Sequence, residues 1–406
     1  MSRKDDKGRV LQKGETQRKD GRYVYRYTER GETKSIYAKT LNELRQKEKE
    51  LTKAETMGIN YYDANRLTLN NVFDEYMKLK VGLKQNTRSN YMITYDRYLR
   101  DDLGKRIIND IRYSDVKKFY LSLVEKGMKV STLTTIHNFL HPTLQLAVRN
   151  NYIPNNPSDG VVSSIKKETG WQDTKKSALT VEEQKAFIEF IKSKKRRYRR
   201  WLNIFIFFLG TGCRVGEVTG LTWDNVDFKK GIISIKNNLT YIYQEDGSFA
   251  FNLGTTKTRA GERIIPMLPE VRKVLLEERE KQLKTGGCEV EIGGVSNFVF
   301  INDNHKPHSA QVINRAIKRI VKAYNKKEQE QAEKENREPI LIRNFSVHTF
   351  RHTFCARLCE NEANIKVIQD IMGHTDIQTT MDVYAEVSEN KKLEAFHNLE
   401  DKLRIC

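Results

Sequence analysis

Residues 344–358 read NFSVHTFRHTFCARL, and the reading of this stretch decides the fold. Apolar residues at three- and four-residue spacing make it an amphipathic helix, with Phe350, Phe354 and Leu358 lining one face. His348 and Arg351 are three apart and share another face, so an imidazole and a guanidinium point the same way. His348, His352, Cys355 and Cys359 also have spacings that suit zinc. Four ligands on one short helix do not readily close a tetrahedron, since such sites draw on separated segments. Buried thiols packing a helix are the ordinary alternative, and no metal is expected.

Downstream, residues 373–387, GHTDIQTTMDVYAEV, carry His374 and, ten residues on, Tyr384. Thr375 and Gln378 have capping-box spacing, which starts a helix just after His374. Ten helical residues span about 15 Å along the axis, too far for the two side chains to meet. The expectation is therefore a break near residues 379–382 that returns Tyr384 toward His374. An unbroken helix over 376–388 with Tyr384 pointing into the core counts against a shared site.

Upstream, WLNIFIFFLG (201–210) is the most apolar run of the chain; it is too short to span a bilayer and reads as a buried helix. GTGCRVGEVTGL (210–221) follows it. Arg214 and Glu217 are three apart, so on a helical turn the carboxylate holds the guanidinium for a bidentate phosphate contact. In GTTKTRAGERIIPM (254–267), Lys257 lies on a turn between strands, where a mobile cation is able to protonate a leaving oxygen.

A chain of 406 residues is too long for one ordinary core, and the fold class is multidomain α+β. In GRYVYRY (21–27), strict alternation puts Tyr23, Tyr25 and Tyr27 on one strand face and Arg22, Val24 and Arg26 on the other. A polar helix runs from Leu41 to about Met57, so residues 1–66 form a small three-stranded sheet backed by a helix. Residues 67–160 hold four helical runs, with Thr68, Thr87, Ser114 and Ser131 as candidate caps, and make an all-helical bundle. Residues 161–178 lose that period and read as a linker. Residues 179–406 are mainly helical, with short antiparallel strands between about Val226 and Pro266. The charged run NKKEQEQAEKENREP (325–339) reads as a solvated helix or loop insertion. Leu393, Phe396, Leu399 and Leu403 give a short amphipathic tail helix.

The chain has 72 Lys and Arg against 53 Asp and Glu, a formal charge of +19, and a polyanionic partner explains the surplus. Nucleic acid leads; no apolar span, signal peptide or lipidation motif speaks for a membrane. Lys19 and Arg26 near the first sheet, and Lys84 and Arg88 in the bundle, are the candidate DNA contacts. Five cysteines, an odd number without a secretory signal, indicate reduced thiols in a cytoplasm.

Taken in order, the chain offers R-x-x-E, a hairpin lysine, H-x-x-R, G-H and a tyrosine ten residues on. This order resembles the tyrosine recombinase, or phage integrase, family. The bundle resembles that family's core-binding domain, and the N-terminal sheet resembles the arm-binding domain of integrases from conjugative transposons and related phages. The resemblance implies Arg214, Arg351, His348, Lys257 and His374 as the catalytic set, Tyr384 as nucleophile and Glu217 as their support. It implies a 3′-phosphotyrosine intermediate without ATP, metal or other cofactor, and integration and excision of a mobile element. It further implies arm-type and core-type attachment sites on duplex DNA, a homotetramer joined through exchanged tail helices, and a bacterial, nucleoid-associated location. A directionality factor or a host DNA-bending protein is a candidate accessory partner. A non-catalytic architectural protein leaves the motif set unexplained. A type IB topoisomerase shares most of the groups, and the two extra domains favour a recombinase over it.

Overall fold

The first strands form because aromatic residues alternate with arginines. Glu15–Gln17, Tyr23–Glu29 and Glu32–Ala38 make an antiparallel sheet in chain order, with Tyr25 opposite both Glu15 and Ile36. Tyr23 and Tyr27 are buried while Arg22 and Arg26 are exposed, as the alternation requires. Helix Leu41–Thr56 closes one side of the sheet by burying Leu41, Leu44, Leu51 and Ala54. The computed structural model describes residues 3–385 apart from 30, 57, 172–176, 195, 245–247, 256–260 and 363.

The bundle helices are Leu69–Leu79, Gln85–Tyr98, Tyr113–Glu125 and Val130–Arg149. At its centre the Phe73 and Tyr95 rings stack with centroids 3.6 Å apart, and the Tyr95 hydroxyl donates to Asn70 Oδ1 at 2.8 Å. Of the four expected caps only Thr68 caps a helix; the others lie inside helices that begin earlier, after Lys84, Arg112 and Lys129. The linker expectation also needs correction. Residues Val161–Glu168 are a helix whose Val161 and Ile165 are fully buried in the bundle core. Two apolar residues one turn apart anchor it, a pattern too short to register as periodic.

The chain divides into two compact units, residues 1–173 and 174–406. In the second, the apolar run is helix Leu202–Thr211, at the centre of a core shared with helices Val181–Lys192, Pro269–Thr285, Ala310–Glu335 and Val347–Asn361. Phe205, Phe207, Phe208 and Phe350 are wholly buried there, and each contributes about 1.5–3 kcal/mol relative to exposure. Strands Val226–Asp227, Ile232–Ile235 and Arg263–Pro266 form an antiparallel sheet, and Asn237–Tyr243 pairs with Phe249–Thr255 as a separate hairpin. The charged run 325–339 is largely a solvated extension of helix Ala310–Glu335. Among the described residues, no helix is long and apolar enough to cross a membrane.

Candidate active site

Helix Leu202–Thr211 ends on Gly212, whose φ of 60° lies in the left-handed region. A Cβ at this position would come within 2.4 Å of the Phe354 ring, so only glycine fits. Arg214 follows as the N-cap of helix Val215–Thr219, with extended rather than helical backbone. Glu217 accepts from the Arg214 backbone N–H and from Arg214 Nη1, both at 2.8 Å. The R-x-x-E pair is thus a capping arrangement, not two residues on one helical face.

Oε2 of Glu217, which takes the Arg214 backbone N–H, also binds a residue outside the motif. Arg263 Nη2 donates to Glu217 Oε2 at 2.9 Å, and both side chains are 5% exposed or less. Burial alone pushes the Glu217 carboxyl up; hydrogen bonds and charge from Arg263 and Arg214 outweigh it and hold the group below its ordinary value. Arg263 has a sequence signal in retrospect, since it precedes the buried Ile265 by two and so shares its strand face.

Three guanidiniums then converge on the end of one helix, Ile365–Met372, which closes at Gly373 with φ 63°. Arg263 Nε donates to Ile371 O at 2.8 Å, Arg351 Nη2 to Met372 O at 2.6 Å, and Arg214 Nη2 to Gly373 O at 2.9 Å. Arg351 Nη1 also reaches Gly212 O at 2.9 Å, so this guanidinium bridges two helix ends. Carbonyls at a helix C-terminus lack intrahelical donors and carry the negative end of the dipole, which is why cations gather there. Burial first, and then the neighbouring Arg214, bring the Arg351 pKa down to about 10. Three arginines face a single carboxylate, Glu217, and the surplus positive charge fits an anion.

His374 follows directly and is 8% exposed, with Nδ1 2.9 Å from Thr380 Oγ1. Burial, with Arg351 and Arg214 behind it, lowers its pKa to about 3. The imidazole is therefore neutral at pH 7 in the free protein. Its protonation is easier in the unfolded chain, so its contribution to stability is complete above about pH 6.5 and is lost as pH falls toward 3. An NMR titration should show the His374 ring staying neutral through pH 6.5, and His374→Gln should flatten the acid-side stability loss. A ring that titrates at its ordinary value refutes this.

The expected helix break is not found. Residues 378–385 are continuous helix, crossing 379–382 without interruption. The helix starts later than expected, because Asp376 Oδ1 accepts from Gln378 N at 2.9 Å and residues 374–377 stay outside it. The expected return of Tyr384 toward His374 is therefore not seen, and the unbroken helix with Tyr384 on an apolar cluster counts against a site already shared by the two in the free chain. The turn before Gln378 sets His374 against Thr380, one helical turn before Tyr384. Tyr384 itself is half-buried on the cluster of Cys355, Cys359, Ile368 and Met372, and no hydrogen bond joins it to a described residue.

Arg214, Glu217, Arg351 and His374 are therefore brought together, with Arg263 and Thr380 added. His348 is exposed on the same helix as Arg351, its ring edge-to-face with His352 at 4.8 Å. Lys257 and the tail residues Leu393, Phe396, Leu399 and Leu403 lie outside the described residues. Among the described residues, no three His, Cys, Asp or Glu side chains gather as a metal would need, and Cys355 and Cys359 are buried thiols outside any disulfide.

Residues 177–391 match the model of the phage integrase family. The chain belongs to that family. Residues 1–55 match the DNA-binding domain of the Tn916 integrase. This integrase is 29% identical over 400 residues to the transposase from transposon Tn1545 of Streptococcus agalactiae, covering 95% of this chain and 94% of that one. It is equally similar, at 29% over 400 residues, to the transposase from transposon Tn916 of Enterococcus faecalis. Its fold superposes on the Tn1549 transposon integrase, solved in complex with circular-intermediate DNA, with a TM-score of 0.69, 27% identity, 81% of this chain and 99% of that one. It is a tyrosine-type site-specific recombinase that integrates and excises a mobile element, and DNA is its partner.

Proposed function

We propose that Arg214 and Arg351 bind the non-bridging oxygens of the scissile phosphate and that Tyr384 is the nucleophile. The observation that carries this is the set of guanidiniums fixed on successive carbonyls with one carboxylate among them, an arrangement preorganised for an anion. Arg214 is the outward member, with its side chain 37% exposed, while Arg351 and Arg263 are buried behind it. The Tyr384 hydroxyl attacks phosphorus and gives its proton to His348. The bond from phosphorus to O5′ breaks, and Lys257 protonates the departing oxygen. A phosphodiester is exchanged for a phosphotyrosine ester, so the bond energy is kept for rejoining and ATP is not consumed. His374 donates to a non-bridging oxygen, and the arriving phosphate offsets the arginine charges that keep its pKa low.

In the free chain Tyr384 is packed on the Cys355 cluster, so DNA binding and assembly must bring it forward. A homotetramer with tail helices exchanged between protomers supplies that movement. Residues 1–66 read arm-type sites, with Lys19 and Arg26 exposed for the purpose. The bundle of residues 67–160 reads core-type sites through Lys84 and Arg88, although Arg88 already donates to Met77 O at 2.9 Å. The setting is a bacterial cytoplasm, on the nucleoid, with a directionality factor or host bending protein as accessory.

The test is a duplex nicked beside the cleavage position, so that the short 5′-hydroxyl product diffuses away. The wild-type chain should accumulate a covalent adduct that survives denaturant, and recombination between two marked sites should follow on intact DNA. Failure to trap any adduct on element-end DNA would sink the proposed chemistry.

A further inference from the structure

Two charged runs in the second unit look alike in composition and behave differently in the fold. Within 325–338 the charges neutralise one another: Arg337 holds Glu328 and Glu335 at 2.6 Å each, and Lys326 lies 3.9 Å from Glu330. Residues 192–200, KSKKRRYRR, carry seven cations in nine positions and no acid. Among the described residues of this run the one ion pair is Arg200 with Asp303, at 2.9 Å. Lys194 instead sits 4.7 Å from the Phe190 ring centroid, Arg197 5.6 Å from Tyr198 and Arg200 5.5 Å from Trp201. Arg199 Nη1 donates to Lys192 O at 3.0 Å. Such contacts hold a cation in place without cancelling its charge.

The surroundings add to the positive potential. Trp201 is the N-cap of helix Leu202–Thr211 without a side-chain cap bond, so that helix presents its positive end here. The N-terminus of helix Ala310–Glu335 arrives at the same place, since the Trp201 and His308 rings are 4.8 Å apart. Between them lies a cavity of about 290 Å³ lined in part by Arg200 with its partner Asp303, by Lys281, which lies 3.4 Å from Glu278, and by Asn302 and Asn304. Like charges repel one another, and a surface that holds Lys194, Arg197 and Arg199 without an ion pair to a described residue fits a polyanion. The ten-residue helix Leu202–Thr211, about 15 Å long, lies between this surface and Arg214.

We propose that Lys192, Lys194, Arg197 and Arg199 form a second DNA-backbone surface, gripping phosphates that flank the cleaved one without reading sequence. The proposal rests on the recombinase acting on DNA, and not on the role of Tyr384. In the full chain, Arg197→Gln/Arg199→Gln should lower the slope of log Kd against log salt by about two, near 0.9 per lost phosphate contact. Fluorescence anisotropy on two unrelated random-sequence duplexes should show the same loss of affinity on both. Arg197→Lys/Arg199→Lys should restore the slope, because charge and not fork geometry is what counts. Lys326→Gln/Lys327→Gln, in the self-neutralised run, should leave it unchanged. An unchanged slope in the Gln variant, or a loss confined to one duplex, overturns this surface alone. A wild-type chain that binds neither duplex overturns the DNA reading and this one with it.

Discussion

Glu217→Leu should lower the unfolding free energy by about 3–5 kcal/mol, seen as a Tm drop of the order of 10 °C. Glu217 is 3% exposed and is the carboxylate partner of both Arg214 and Arg263. Removing it strands the Arg263 charge, 5% exposed, where water cannot solvate it. Adding Arg263→Met removes the stranded charge and should recover most of the loss, since an apolar pair of similar volume replaces a buried ion pair at little cost. Adduct formation should stay impaired in the double variant, because Arg214 has lost the carboxylate that aims it. Thermal unfolding and adduct rate therefore separate in the double variant. The depressed Glu217 pKa also sets a pH sign: its stabilisation is present above about pH 4.5 and disappears as pH falls through the folded value, so wild type and Glu217→Leu should converge in acid. A single variant with wild-type Tm contradicts the whole arrangement.

Tyr384→Phe should abolish the covalent adduct and leave DNA affinity and folding as they were. The substitution deletes one hydroxyl that joins no described residue by a hydrogen bond, and keeps the ring on the Cys355 cluster. Stability should change by less than about 0.5 kcal/mol, as for substitutions away from packed or bonded features. Gel analysis of denatured reactions gives the first readout and anisotropy the second. An adduct that persists in Tyr384→Phe assigns the nucleophile elsewhere in the chain.

What the sequence made legible was local. The apolar run 201–210, the strand alternation at 21–27 and the order of Arg214, Lys257, His348, Arg351, His374 and Tyr384 can each be read within short windows. Arg263 was not legible as a member of the site, because Glu217 is 46 residues away and Ile371 O is 108. The helix Val161–Glu168 was missed because eight residues hold too little period to distinguish it from a linker. The expected helix break fails because the helix does not start at Thr375. Asp376 takes that place, and the short turn before Gln378 brings His374 to Thr380 without disturbing the helix.

The carbonyls of Ile371, Met372 and Gly373 anchor Arg263, Arg351 and Arg214 in succession. Five residues beyond Gly373 begins the helix that carries Tyr384. The proposed nucleophile and the arginines proposed to bind the phosphate are thus tied to one continuous strip of backbone. Displacing the helix that carries Tyr384 should therefore also shift the carbonyls that hold the three arginines, tying the two halves of the proposed chemistry to one segment.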